Sequence, residues 1–298
     1  MKRRIIQIAA TILTNPYIAG FLNATIYKGP FKFICHPGMQ CYSCPSSITA
    51  CPIGALQNAF AAFNATITGG SLHIGLYVIG FFGVLGMGFG RLICGWVCPF
   101  GFIQDLLYKI PTPKYRLPSF LSYGKYISLF LFVIFLTLFL SFFNITLVSE
   151  EGSFNPSIQV NSTGETYPWF CKAVCPAGTF EAGIPKMVMD PKVRESLGFW
   201  FGLKWIILIV FLFLIIITPR AFCRFGCPIG AIYGFFNKIS FYKLKVDKTK
   251  CTTCNICKTV CPADLTVHET PNHPDCIRCL DCVSACKNNA IQKGFFIE

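Results

Sequence analysis

Charge is scarce in this chain. Only 13% of its 298 residues are Asp, Glu, Lys or Arg, about half the usual share, while 53% are apolar and 31 are Phe. So few charges cannot coat a globule, which excludes an ordinary soluble enzyme and puts much of the chain in lipid. Acid is scarcer still, with 13 Asp and Glu against 26 Lys and Arg. No paired carboxylates suggest acid–base catalysis, and Asp105 stands alone among the bases of its loop. There are 5 Met and 4 His, too few for a copper-binding track. A Ser or Cys triad, a P-loop and a dinucleotide-binding glycine pattern are missing, as are a haem C-x-x-C-H and a flavin-attachment motif. These absences leave a chain that moves electrons and leaves bond-making to others.

What is there comes in long apolar runs. Four spans are expected, at Ile5–Ile26, Leu72–Phe89, Tyr126–Val148 and Gly198–Thr218, the first weakened by a kink at Asn15-Pro16. Met1-Lys2-Arg3-Arg4 and the run after it resemble a signal peptide, but no small-residue cleavage site follows cleanly, so the run is read as a span. Bases crowd the N-terminus, the loop from Arg91 to Lys125 and the segment after Arg220, while Glu150, Glu151, Glu165 and Glu181 mark an alternate loop. The bias predicts a multi-pass protein of a prokaryotic cell membrane with both termini cytoplasmic. The formal charge of +13 does not read as a nucleic-acid surface, because the bases scatter among apolar runs.

Cysteine is abundant, at 18 residues. Eight of them, at Cys251, Cys254, Cys257, Cys261, Cys276, Cys279, Cys282 and Cys286, form two C-x2-C-x2-C-x3-C runs, the spacing of bacterial two-cluster ferredoxins. Three thiolates of each run grip one [4Fe-4S] group and the fourth crosses to the other. Cys251, Cys254, Cys257 and Cys286 are therefore expected to hold the first, and Cys276, Cys279, Cys282 and Cys261 the second. A zinc site would need only two C-x2-C pairs and leaves the complete runs unexplained.

The other ten include four Cys-Pro-x-Gly words, beginning at Cys51, Cys98, Cys175 and Cys227. Pro suits the first position of a helix, whose free N–H groups face an anion such as a thiolate-bound cluster. Cys94, Cys171 and Cys223 lie four residues before three of these words. The charge bias sets Cys94, Cys98, Cys223 and Cys227 at the inner face, as ligands of one cluster. It sets Cys44, Cys51, Cys171 and Cys175 at the outer face as ligands of another, with Cys41 the alternative to Cys44 and Cys35 the least suited. A disulfide among the outer thiols is the rival reading. His73 is read as ordinary packing before quinone or haem contact, Trp96 as either a shield or an interfacial anchor, and Arg91 and Arg224 as neutralising cluster charge or obeying the inside bias.

The stretches Gly38–Gln57, Arg91–Pro118, Cys171–Pro185 and Cys223–Phe236, with the ferredoxin runs, resemble the NapH/MauN-type membrane polyferredoxins, relatives of the membrane cores of NosR and CcoG. The resemblance spans nearly the whole chain. It implies membrane electron transfer, often between quinol and a partner oxidoreductase, with a soluble cytoplasmic redox protein and an outer-face redox protein as partners. The expected protein is an α-helical membrane protein of about four transmembrane helices over residues 1–240. A cytoplasmic C-terminal α+β 2[4Fe-4S] ferredoxin domain follows over residues 241–298. Four clusters are expected, with room for a quinone between the spans. The other class of function, a redox sensor or metal-centre maturation factor that reduces a metal such as copper, fits the CcoG likeness but lacks Met and His.

Overall fold

The Phe199–Ile217 helix buries Leu208 and Ile215 but leaves Ile206, Ile209, Val210 and Phe213 exposed. A helix apolar on every side needs lipid or protein around it. The computed structural model describes residues 2–23, 25–61, 73–115, 118–142, 145–149, 156–160, 168–195 and 198–296. Among them two helices are long and apolar enough to cross a membrane, Phe199–Ile217 and Ser119–Leu140.

The four expected spans therefore divide. The last stands almost as drawn. The third begins earlier, after Pro118, and Val148 lies instead in a strand, Ile145–Ser149, that pairs with Pro156–Val160 in an antiparallel hairpin. The second is the His73–Phe89 helix, whose 17 residues reach about 25 Å. The first is not a span by length. Its helix, Lys2–Thr14, has 13 residues, about 20 Å, and stops at Asn15-Pro16, where proline cannot continue the ladder. The chain then folds back. Tyr17 N–H donates to the Ser46 carbonyl at 3.2 Å, Ile48 N–H to that of Thr14 at 3.2 Å, and the Gln40 amide also to Thr14, at 3.2 Å.

The Lys2–Thr14 helix lies against the Leu92–Trp96 and Pro99–Leu107 helices. Gln7 donates to the Gly95 carbonyl and to Asp105, and Arg3 pairs with Asp281 at 3.1 Å. The lone acid of the inner loop has a structural reason to be there. Asp105 takes a two-pronged salt bridge from buried Arg220, at 2.7 and 2.6 Å. Burial raises the Asp105 carboxyl, but the Arg220 bonds and charge outweigh it and hold the group below its usual value. A depressed carboxyl contributes stability above its unfolded pKa, near 3.9, that is lost as pH falls through the folded one. Asp105→Asn is expected to cost about 3 kcal/mol by stranding the Arg220 charge. It should also flatten the acid limb of a denaturation-versus-pH curve below about pH 4; an unchanged limb would refute the pairing.

The C-terminal residues form a second, smaller core from Leu244, Val267, Leu280 and Ile291. The Tyr242–Val246 and Ile291–Phe295 strands close it as an antiparallel pair, with Tyr242 opposite Phe295 and Val246 opposite Ile291. The unit is fastened to the helical part by buried polar groups. Arg278 donates to the carbonyls of Phe89 and Asn237, at 2.8 and 2.7 Å. Asn237 donates to the carbonyls of His273 and Cys276 and accepts the Arg91 N–H. Fully buried Lys125 pairs with Asp275, which also takes Arg91.

Candidate metal centres

The Cys-Pro-x-Gly words are one local structure used repeatedly. Cys98, Cys175 and Cys227 each cap a helix whose first residue is the proline, and Pro52 likewise starts the Pro52–Ala61 helix after Cys51. At two of the words the glycine N–H turns back to the thiol: Gly101 donates to Cys98 Sγ at 3.4 Å and Gly178 to Cys175 Sγ at 3.3 Å. The three C-x3-C copies also share a backbone closure. The second Cys N–H donates five residues back, to Ile93, Phe170 and Phe222, at 3.2, 2.8 and 2.9 Å. Each copy thus aims two thiols and helix N–H groups at one spot, where negative charge is favoured.

Cys94, Cys98, Cys223 and Cys227 are all buried and lie within electrostatic reach of one another. Arg91 and Arg220 flank them. Arg91 donates to the Cys223 carbonyl and Arg220 to that of Cys94, both at 2.7 Å. Two residues not foreseen reach the sulfurs. Gln104, fully buried, donates to Cys223 Sγ at 3.0 Å, and Met39 N–H donates to Cys98 Sγ at 3.3 Å. A donor on a ligand sulfur favours the more negative, reduced form of a cluster. Gln104→Leu should lower the midpoint potential of that centre by about 60 mV, taking about 1.5 kcal/mol for a hydrogen bond to a charged group. Potentiometric EPR titration reads this, and an unmoved midpoint would remove Gln104 from the site.

The other set differs from expectation at one thiol. Cys41, Cys51, Cys171 and Cys175 line a cavity of about 390 Å³, and Cys44 does not. Cys44 Sγ faces the Ser46 hydroxyl at 3.2 Å, away from the rest, while Cys41 interacts with Cys51 and Cys175. The reason is a distant partner: Glu181, half-buried and unforeseen, accepts the Cys41 N–H at 2.6 Å and holds that turn against the cavity. Cys35 is buried near Cys51 in the chain's core.

The two sets are also closer than the charge bias implied. Met39 reaches Cys98 while Cys41, two residues on, lines the second cavity. From Cys98 Sγ to Cys41 Cα is therefore at most about 12 Å. Opposite faces of a hydrocarbon core of about 30 Å cannot be so near. The fold-back at Asn15-Pro16 carries residues 34–50 inward, where Gly38 lies so tight on Cys98 that a Cβ would sit 2.8 Å from its Cα.

In the C-terminal unit Cys251, Cys254, Cys257 and Cys286 all line one cavity of about 150 Å³. Cys276, Cys282 and Cys261 interact with one another, and Cys279 with Cys276. The two runs repeat at 25 residues in backbone as well as in sequence: Thr253, Asn255 and Asp264 take left-handed φ, as do Arg278, Leu280 and Asn289. Such angles are strained for Thr, Arg and Leu, and they bend the chain around Cys254 and Cys279. Gly95, next to Cys94, meets this unit directly; a Cβ there would be 2.4 Å from the Ile277 carbonyl oxygen. Trp96 donates its indole N–H to the Arg278 carbonyl at 3.0 Å, so it fastens the two parts together. Arg224 is buried near Cys261 and Asp275. His73 starts its helix, but its side chain lies outside the described residues.

Among the described residues no three Cys, His, Asp or Glu side chains converge at single-ion distance. Four ligands of one zinc, each about 2.3 Å from it, would do so. Two of the sets, those of Cys251 and of Cys41, ring cavities instead, as four thiolates do around a [4Fe-4S] group.

The comparisons support iron–sulfur chemistry. The family described as "4Fe-4S binding domain" matches residues 72–118, 168–192 and 199–248. The protein MJ0750 of Methanocaldococcus jannaschii is 31% identical over 71% of this chain and 75% of its own length. Ferredoxin-type protein NapH of Haemophilus influenzae is 37% identical over 33% of this chain and 39% of its own. The methylamine utilization ferredoxin-type protein MauN of Methylobacillus flagellatus is 26% identical over 71% of this chain. The chain spans 60% of that MauN and less of that NapH. No solved structure matches.

Proposed function

The chain belongs to the NapH/MauN-type family of ferredoxin-type proteins, and from that premise we propose that it is a membrane-bound iron–sulfur electron relay with four stations. Bound at each thiol set, a [4Fe-4S] group would take and release one electron at a time. One observation supports the reading: close contacts join the chain between Cys276 and Cys279 to the Cys94 helix, and Cys98 to the loop of Cys41. Cys254 is exposed at one end, while Cys276 and Cys282 are buried. Gly95 brings Cys94 against the chain between Cys276 and Cys279, and Met39 links Cys98 to the loop of Cys41.

In this reading residues 241–298 are the water-facing domain and residues 1–240 the membrane domain, with both termini on the cytoplasmic side. The ligands are the four thiols of each ferredoxin set, Cys94, Cys98, Cys223 and Cys227, and finally Cys41, Cys51, Cys171 and Cys175. Helix N–H groups, Arg91, Arg220 and Gln104 offset the charge of the thiolates. The relay serves a soluble redox partner at the Cys254 end and a quinol at the Cys41 end. Iron and sulfide analysis of the purified protein, with EPR, tests it. About sixteen irons per chain are expected, and about eight would confine the clusters to the ferredoxin unit. Bleaching of the visible absorption by menadiol tests the quinol end.

A further inference from the structure

We propose that the face around Cys254 is the docking surface for an acidic soluble electron-carrier protein, which deepens the relay reading and rests on it. Of the 18 cysteines Cys254 alone is exposed. The cavity that it shares with Cys251, Cys257 and Cys286 is rimmed by Lys250 and Lys287, and no carboxylate lines it. Both lysines are exposed, as is Lys248 close by, and Lys258 follows Cys257 half-buried. Asp247 offsets part of this charge, at 3.6 Å from Lys250 with both side chains in water, a pairing of small value. The polar remainder of the rim is Thr252, Thr253, Asn255, Asn288 and His268, whose ring lies 3.8 Å from the exposed Glu269 carboxylate, an acid outside the cavity lining.

A basic rim near a membrane has a second natural partner, anionic lipid, and the geometry disfavours it. Phe235, Ile239, Phe241 and Phe295 are exposed together with Phe89, an aromatic and apolar patch of the kind found at a headgroup interface. Phe295 lies opposite Tyr242 at that end of the hairpin, whereas Ile291, opposite Val246, lines the Cys254 cavity. Four strand steps separate the ends, about 14 Å. That exceeds the Debye length of about 8 Å at physiological salt, so Lys250 and Lys287 face water rather than the lipid field. What profits from lysines ringed around an exposed redox ligand is a protein with carboxylates ringed around its own. Opposite charge steers the encounter and orients the two centres. Cys251, Cys254, Cys257 and Cys286 would hold the iron that exchanges one electron with the carrier: whichever of the two is reduced would lose one electron and the other gain it, with no bond or proton changing hands.

Stopped-flow bleaching of the iron–sulfur absorption of the full-length protein tests this with two reductants of opposite charge, reduced flavodoxin and the methyl viologen radical cation. With flavodoxin the second-order rate should fall about tenfold between 50 and 500 mM salt. Lys250→Glu with Lys287→Glu should slow flavodoxin about tenfold at low salt and speed methyl viologen, while Lys250→Arg with Lys287→Arg keeps both wild-type rates. Salt-independent flavodoxin rates, or equal slowing of both reductants at full iron content, would overturn the proposal. So would a glutamate pair that leaves both rates alone but weakens attachment to phosphatidylglycerol vesicles. A protein with no iron–sulfur absorption at all would instead defeat the relay reading beneath it.

Discussion

Cys41→Ser is expected to remove about four of about sixteen irons per chain, while Cys44→Ser leaves the count unchanged. The contrast is large because the two thiols are only three residues apart, and the sequence favours Cys44 with Cys41 as the alternative. The fold separates them. Cys41 shares a cavity with Cys51, Cys171 and Cys175, held there by the 2.6 Å bond from its N–H to Glu181. Cys44 points to Ser46, in the turn that receives Asn15. Cys44 cannot replace the lost thiolate without breaking that turn. Iron analysis of the two variants side by side decides the matter; equal loss in both, or loss in Cys44→Ser alone, would refute the assignment.

The second large effect is expected at Gly95. The Ile277 carbonyl oxygen would lie 2.4 Å from a Cβ at this position, and both partners are backbone, so neither can swing aside. Gly95→Val must therefore push the ferredoxin unit off the Leu92–Trp96 helix. It would strain the Trp96–Arg278 bond and the contacts of Arg91 with Pro274 and Asp275 along the same seam. Overpacking alone costs about 1–3 kcal/mol. The functional loss should be greater, because a shift of about 1 Å at a reacting junction can slow a step on the order of 10²-fold. Iron content should stay near wild type, while freeze-quench EPR shows electrons held in the ferredoxin sets and late in the Cys94 and Cys98 set. Wild-type arrival times in Gly95→Val would show that electrons do not cross at this joint.

Much of this was written in short-range pattern. The Cys-Pro-x-Gly words foretold helix starts because proline, glycine and a capping thiol act within four residues, and Cys251, Cys254, Cys257 and Cys286 line one cavity. The Phe199–Ile217 helix was legible for the same reason, as one uninterrupted apolar run. What escaped was decided by distant partners. Asn15-Pro16 was visible as a kink, but nothing local told that the chain would fold back to place Met39 on Cys98, 59 residues away. Arg220 and Gln104 looked like one more base and one more amide. Only the solitary Asp105, out of place among bases, hinted at a buried pair. Val148 was taken into a helix because apolar β-branched residues suit either state, and its hairpin partner lies beyond the reach of a periodicity argument.

The six left-handed residues of the 25-residue repeat have a consequence for quality control. Thr253, Arg278 and Leu280 each hold an angle that a free chain would shed, at about 1–3 kcal/mol apiece, while Asn255, Asp264 and Asn289 hold it at less cost. Thiolate–iron bonds are what can keep so small a unit in that shape, since metal binding and folding are coupled there. Iron-starved chains would then uncoil first around Cys254 and Cys279. The cell's proteases would meet an unloaded protein as a loose C-terminal tail, so that degradation itself sorts filled relays from empty ones.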